Sequence, residues 1–392
     1  MKWPVKKLSE ICEINIGRTP SRSNANYWKN GEYAWLSISD MTRAVDIVET
    51  KEKISNLAIS ECNCKLVPIN TVLLSFKLSI GKVGINKIPL YTNEAIAALP
   101  IKQTKILSNR FLFHALKNTN FTEGVDRAAK GLTLNKEKLK EVKIPFPPLA
   151  EQQRIAALLD TADRILRLRE SAIAKLDQLA QSVFVEMFGD VIKNNKGWTL
   201  KKLSEVTTKI GSGATPRGGD SEYKSDGISL IRSLNVHDGE FRTKNLAYID
   251  DEQADKLSNV VVIENDVLLN ITGASVARVC RVPNSVLPAR VNQHVMIVRP
   301  NKSLNAVYLE RLLLSAEMKN KLLSVGSSGA TREAITKASA ENLLIPVPPI
   351  KVQSEFCKKF ELLENIKKNM LNCVDGNKQM SSSLQHQSFA VN

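Results

Sequence analysis

The sequence predicts an α+β fold. Two similar globular domains are separated by two long helices that pair antiparallel as an intramolecular coiled coil. Three observations carry this reading. First, the chain is written roughly twice. Trp3-Pro-Val-Lys-Lys-Leu-Ser-Glu10 returns 195 positions later as Trp198-Thr-Leu-Lys-Lys-Leu-Ser-Glu205, and Val72-Leu-Leu-Ser75 returns at the same shift as Val267-Leu-Leu-Asn270. Ile144-Pro-Phe-Pro-Pro-Leu149 returns as Ile345-Pro-Val-Pro-Pro-Ile350, shifted by 201. A unit of that length is a domain plus a connector, too long for a solenoid repeat. Second, each proline-rich segment leads into a long stretch of helical spacing. Third, the order of the units is cyclic. Leu179 and Phe184 align with Leu384 and Phe389 at a shift of 205; the first helix then runs on towards Trp198, and the next tryptophan in register is Trp3. A pseudo-twofold organisation follows from that order.

The predicted parts are a first domain over 1–148, a helix over 149–190, a second domain over 191–349 and a second helix over 350–392. Within the first domain, Ala34-Trp-Leu-Ser-Ile38 and Thr71-Val-Leu-Leu-Ser-Phe76 read as strands, with turns at Asn30-Gly31 and Asn70-Thr71. Asn109-Arg-Phe-Leu-Phe-His-Ala-Leu116 has helical spacing. Pro145, Pro147 and Pro148 fix an extended exit from the domain. From Leu149 an apolar seam is expected through Ile155, Leu158, Ala162, Ile165, Ala172, Leu176, Leu179 and Val183, with Gln152, Arg154, Arg164 and Arg167 on the outer face. Phe356, Phe360, Leu363, Ile366, Met370, Val374, Met380 and Leu384 make a poorer second seam, weakened at Asp375-Gly-Asn377. Val183, Met187 and Phe188 are expected as exposed apolar positions open to a partner protein. In the second domain, Ile228-Ser-Leu-Ile231 matches the first tryptophan-bearing strand. Gly326-Ser-Ser-Gly-Ala-Thr331 matches Ala129-Lys-Gly-Leu-Thr133. The ends of the repeat are more alike than its interior, as one scaffold reading two targets would be.

Composition places the chain among ordinary globular proteins: 392 residues, 43% hydrophobic and 24% charged. No apolar run is long enough for a membrane span, and the start carries no signal core. Six sparse cysteines fit reduced thiols in the cytoplasm. The net charge of +15 is informative once placed. The helical stretches 149–190 and 350–392 carry −2 and +2, so the domains hold the excess, +10 over 1–148 and +5 over 191–349. A basic excess confined to the repeated domains points to a polyanion, most simply nucleic acid.

Motifs for catalysis are missing. No phosphate loop or dinucleotide fingerprint occurs, and His114, His237, His294 and His386 are isolated from one another at metal-ligand spacings. The polar signals fit contact with DNA better. Gly17-Arg-Thr-Pro-Ser-Arg22 and Gly211-Ser-Gly-Ala-Thr-Pro-Arg217 are equivalent loops offering small residues for close approach and a cation for phosphate. A plain turn closing a hairpin reads the same loops equally well. The candidates are Arg18, Thr19, Ser21 and Arg22 in the first loop and Thr215 and Arg217 in the second. Lys77, Lys82, Arg278 and Arg281 follow the matched Val-Leu-Leu strands, with Asn270 and Thr272 at the strand end. Asn93, Asn292 and Gln293 occupy comparable places, and Lys130 and Arg232 complete the set. Arg and Lys pair with guanine, Asn and Gln with adenine, in the major groove.

A family resemblance enters on particular segments. Ile16-Gly-Arg-Thr-Pro-Ser-Arg-Ser-Asn-Ala-Asn-Tyr-Trp28, followed by Gly31 and Trp35-Leu-Ser-Ile-Ser-Asp40, resembles the opening of a target-recognition domain in specificity subunits of type I restriction–modification enzymes. Ile144-Pro-Phe-Pro-Pro-Leu-Ala-Glu-Gln-Gln-Arg-Ile155 resembles the family's linker into the central helix, and Gln181-Ser-Val-Phe-Val-Glu-Met-Phe-Gly-Asp190 that helix's end. The second half departs: Tyr223 lacks a following tryptophan, and Lys351-Val-Gln-Ser-Glu355 replaces Ala-Glu-Gln-Gln-Arg. The resemblance implies a cytoplasmic, non-catalytic subunit acting in phage defence. Such a subunit reads a split, asymmetric sequence in double-stranded DNA, one half per domain, and docks two methyltransferase subunits. Two restriction (motor-nuclease) subunits join through them. No cofactor is expected on this chain; S-adenosylmethionine, ATP and Mg would belong to the partners. The rival readings are a methylation-only system with the same DNA reader, a protein-binding scaffold that ignores DNA, and an enzyme with a dispersed active site.

Overall fold

A computed structural model describes residues 3–42, 45–121, 126–128, 131–216, 218–327 and 334–389. The chain divides into two compact units, Met1–Ser171 with Leu371–Asn392, and Ala172–Met370. Each unit therefore takes one globular part and a portion of each long helix.

The sheets explain the repeated Val-Leu-Leu. In unit 1 the strand Val72–Ser75 lies between Ile96–Leu99 and Val83–Asn86, with Asn15–Ile16 and Asp46–Ile47 at the edges. Leu73 pairs with Ala98 in antiparallel register. Val72 and Leu74 face one core, with Phe111, Leu112 and Ile155, while Leu73 faces a second with Leu36 and Ile96. A strand buried on both faces needs an unbroken apolar run rather than alternation. Unit 2 repeats this. Val267–Asn270 sits between Val295–Pro300 and Val279–Arg281, with Thr207–Ser212 at the edge. Val267 and Leu269 face one core and Leu268 another.

A second sheet in each unit carries the other match. Tyr33–Leu36 pairs antiparallel with Glu52–Ile54 and parallel with Tyr91–Thr92. Ile228–Ile231 pairs antiparallel with Ala247–Ile249 and parallel with Ala289–Val291. The repeated lysine-rich segments form short ladders with the proline-rich exits, Val5–Lys7 on Lys143–Pro145 and Thr199–Lys202 on Leu344–Val347. Asn30 and Asn70 take positive φ, 56° and 61°, the conformation that asparagine tolerates in turns. The helix Asn109–Lys117 forms, capped by Ser108.

The long helices run Leu149–Phe188 and Ile350–Phe389. Within unit 1 they pair antiparallel. Arg169 Nη1 donates to the Cys373 carbonyl at 2.9 Å, Glu170 faces Lys378 at 3.9 Å, and Phe389 joins the core that holds Ile155 and Leu159. Within unit 2 the order is again opposed, with Lys367 on Asp177 at 2.5 Å and Phe188 against Phe356 at 5.2 Å between ring centroids. The second helix runs unbroken through Gly376, where a weakening was expected.

Both seams differ from expectation in part. Leu158, Leu179, Ile366 and Met380 are exposed, at 45%, 48%, 37% and 56%. Near their ends the helices pack on the globular parts as well as on each other, so the buried stripe turns to Leu159 in one place and to Phe184 and Phe188 in another. Phe188, expected to be open, is fully buried against Tyr308 and Phe356. Val183 and Met187 are partly buried on the same core.

Gln152 also moves from the outer face to the interior. It is completely buried; its Oε1 accepts from Ser108 N at 2.9 Å, and its Nε2 donates to the carbonyls of Ile106 and Pro147 at 2.9 and 2.8 Å. Gln353 repeats the bond set: Asn305 N donates to it at 2.8 Å, and it donates to the carbonyls of Ser303 and Pro348 at 3.1 and 2.7 Å. One amide thus satisfies three backbone groups that burial would otherwise orphan. The departure at Lys351-Val-Gln-Ser-Glu355 keeps this glutamine.

Candidate nucleic-acid interface

Each unit brings a loop, a turn and a hairpin together at one end of its main sheet. In unit 1, Arg18 N donates to Thr92 O at 2.8 Å, and Thr19 Oγ1 donates to the Glu94 carboxylate. Phe76 N donates to Ala95 O at 2.9 Å, which ties the Val72–Asn86 hairpin to the same turn. In unit 2, Gly213 N donates to Asn292 O at 3.1 Å, Thr215 Oγ1 donates to Gln293 Oε1, and Ile271 N donates to His294 O at 3.0 Å. Glu94 and Gln293, like Thr19 and Thr215, thus hold equivalent places.

The loop glycines act within the protein. A Cβ on Gly17 would overlap the carbonyl oxygens of Thr92 and Asn93, and one on Gly213 that of Val291. Close approach is what glycine supplies here, but the approaching backbone is the chain's own. Asn93 and Asn292 are likewise partly spent on the turn. Their Oδ1 atoms accept from Ala95 N at 3.1 Å and His294 N at 3.0 Å.

Several sequence candidates have internal partners. Asn270 is fully buried and donates to Ser233 O at 2.9 Å. Arg281 is drawn to the buried Glu310 carboxylate, with Nε at 2.9 Å, and its backbone N–H bonds the other oxygen at 2.9 Å. Arg22 stacks over Trp28, 3.7 Å from the ring, and its Nη2 meets Glu52 at 2.9 Å; Glu52 in turn is held below the usual carboxylate range by that guanidinium. Arg232 lies over the Tyr223 ring at 4.9 Å and donates to Asn245 O at 2.7 Å. Ser21 shares its hydroxyl with Ser23 at 2.7 Å and its carbonyl with the Trp28 indole.

What remains at the surface differs between the units. In unit 1 it is Arg18, Thr19 and Glu94, all exposed, with Lys77 and Lys82 half-buried on the hairpin. In unit 2 it is an exposed Gln293 beside half-buried Thr215, Thr272, His294 and Arg278. There the side chains form a chain: Thr272 Oγ1 lies 2.7 Å from His294 Nδ1, and His294 Nε2 lies 3.1 Å from Gln293 Nε2. Lys130 and Arg217 lie outside the described residues. Glu94 was missed in the sequence because cations and amides were sought; its alignment with Gln293 was the available signal. Among the described residues no group of His, Cys, Asp and Glu could hold a metal, and no helix is long and apolar enough to cross a membrane. All six cysteines are unpaired.

With this geometry in view, comparison with known proteins is direct. The Type I restriction modification DNA specificity domain matches residues 1–178 and again 195–374. The chain belongs to that family, the specificity subunits of type I restriction–modification systems. Over 376 residues it is 26% identical to the type I restriction enzyme MjaIX specificity subunit of Methanocaldococcus jannaschii, covering 90% of this chain and 85% of that one. Over 337 residues it is 24% identical to the EcoBI specificity subunit of Escherichia coli, covering 77% and 69%. The fold is that of the type I restriction–modification S subunit from M. genitalium, with a TM-score of 0.63 at 14% identity over 100% and 97% of the two chains. A chain from work on complex assembly and conformational transition of the type I R-M system gives 0.57 at 20% identity, over 99% and 95%.

Proposed function

We propose that this chain is the DNA reader of its assembly. Each unit reads one half of a bipartite, asymmetric target in double-stranded DNA, and the chain docks two methyltransferase subunits and, through them, restriction subunits. The observation that carries the reading is the pair of equivalent loop–turn–hairpin ends. Their frames share the threonine, asparagine and hairpin bonds to the turn, yet one presents Arg18, Glu94 and Lys77 and the other Gln293, His294 and Thr272. Similar frames with unlike tips suit two different half-sites. The basic excess of both domains supplies the sequence-independent attraction to phosphate. The chain itself would carry out no chemistry; S-adenosylmethionine, ATP and Mg would be bound by its partners.

The test is to express the chain with its methyltransferase and map methylated adenines by long-read sequencing. A motif of two unlike half-sites with a non-specific gap is expected. A palindromic or continuous motif would overturn the assignment of one half per unit. Native mass spectrometry of the same complex checks docking, with two methyltransferases per chain expected.

A further inference from the structure

We propose that Leu78 is an apolar wedge that enters the base stack of the half-site read by unit 1; this rests on the DNA-reading function above. Three features of the residue agree. Leu78 is 76% exposed, more than any other large hydrophobic side chain among the described residues. Its backbone is left-handed, φ 65°, a conformation that costs a leucine and suits glycine. The equivalent position of unit 2 under the 195-residue shift is Gly273, also left-handed at φ 70°. Both hairpins make this demand three residues past the repeated strand, although the unit 2 loop is one residue longer. Unit 2 meets the demand with glycine, and unit 1 accepts strain in order to display a leucine.

The hairpin tip is held rather than loose. Ser75 Oγ donates to Ser79 O and accepts from Lys82 N at 3.0 Å, and Gly81 N donates to Ser75 O at 2.9 Å. Two residues from Leu78, Phe76 N is bonded to the turn that carries Glu94, the partner of Thr19, so the leucine rises from the candidate interface. Lys77 and Lys82 flank it with positive charge. A rigid apolar tip between phosphate-binding cations is how proteins unstack a base step, the lost stacking being offset by insertion. A lone exposed leucine needs no explanation by itself; one placed where glycine belongs, at the interface, does.

The experiment uses the full chain in complex with its methyltransferase, and as probe a duplex of the motif mapped as above. 2-Aminopurine is placed singly in each half-site, away from the methylated adenine. Wild type should brighten the probe at one step of the unit 1 half-site only. Leu78→Gly, which installs the unit 2 residue and relieves strain, should abolish that signal and weaken binding about tenfold while leaving the salt slope unchanged. Arg18→Ala should instead lower the salt slope by about one. Unchanged affinity and unchanged fluorescence in Leu78→Gly would overturn the wedge while leaving DNA reading intact. Loss of methyltransferase from the variant complex would overturn it in favour of a protein contact. Failure of wild type to bind the duplex would instead sink the function on which the wedge rests.

Discussion

Unit 1 and unit 2 share their hidden parts and differ in their exposed ones. The buried glutamines Gln152 and Gln353 make matching sets of bonds. The glycines Gly17 and Gly213 meet the same stretch of backbone. The central strands bury both faces in both units. At the tips, Leu78 faces Gly273 in alignment, Lys77 faces Thr272, and Glu94 faces Gln293. The difference teaches where constraint lies. Backbone groups removed from water must be paired, and the same side chain solves that problem wherever the fold repeats. Tips meet only solvent or a ligand, so each can be chosen for its own target.

The largest effect expected from breaking this comparison is functional. Replacing residues 1–148 with the matching domain of another specificity subunit should rewrite one half of the methylated motif completely and leave the other intact. Methylation mapping reads this directly; a change in both halves would mean that the units do not read independently.

Next comes the frame itself. Gly17→Ala and Gly213→Ala each force a methyl group into backbone oxygens. Each should cost about 3 kcal/mol, the upper range for overpacking. Calorimetry would check it. A loss in one variant alone would show that the two loops are not equivalent supports.

Gln152→Leu and Gln353→Leu should follow, at about 2 kcal/mol each, since a buried N–H and two carbonyls lose their partner. Equal losses sharpen the equivalence. A much smaller loss for Gln353→Leu would tie the surrounding departure at Lys351 to a looser second junction.

Sequence carried the architecture further than the interface. Strands, asparagine turns and helix limits are local, and periodicity and turn chemistry report them. Gln152 was misplaced because its partners, Ile106 and Ser108, lie more than 40 positions upstream, and only tertiary packing makes the amide internal. Arg281, Arg22 and Asn270 likewise have internal bonds that the sequence did not show. Their partners Glu310, Glu52 and Ser233 are remote in sequence, and a cation near a strand end looks alike whether paired or free. Leu158 and Leu179 obey a coiled-coil spacing, but the helix ends answer to the globular cores as well. Leu78 was legible in principle, since its alignment with Gly273 needs only the repeat.

The smallest expected effect is a pH response confined to unit 1. His114 is buried, its Nε2 2.7 Å from Asp160 Oδ1, and Arg110 Nε reaches the same carboxylate at 2.9 Å. Burial lowers the His114 pKa below its ordinary value despite the carboxylate beside it. Asp160, though partly desolvated, is also lowered, through its bonds to Arg110 and His114. Both signs point one way. A histidine buried neutral stabilises the fold fully above its unfolded pKa of about 6.5, and protonation favours the unfolded chain as pH falls below that. A carboxylate with depressed pKa likewise contributes above its unfolded value and loses that contribution at more acid pH. Unit 2 has Arg311 and Glu361 at the matching positions, so it lacks the histidine response. Unfolding of unit 1 should therefore become easier as pH falls below about 6.5, with a slope of at most about 1.4 kcal/mol per pH unit for one proton. Hydrogen exchange followed separately in the two units would resolve it. His114→Gln should flatten the unit 1 response; an unchanged slope in that variant would place the titrating group elsewhere.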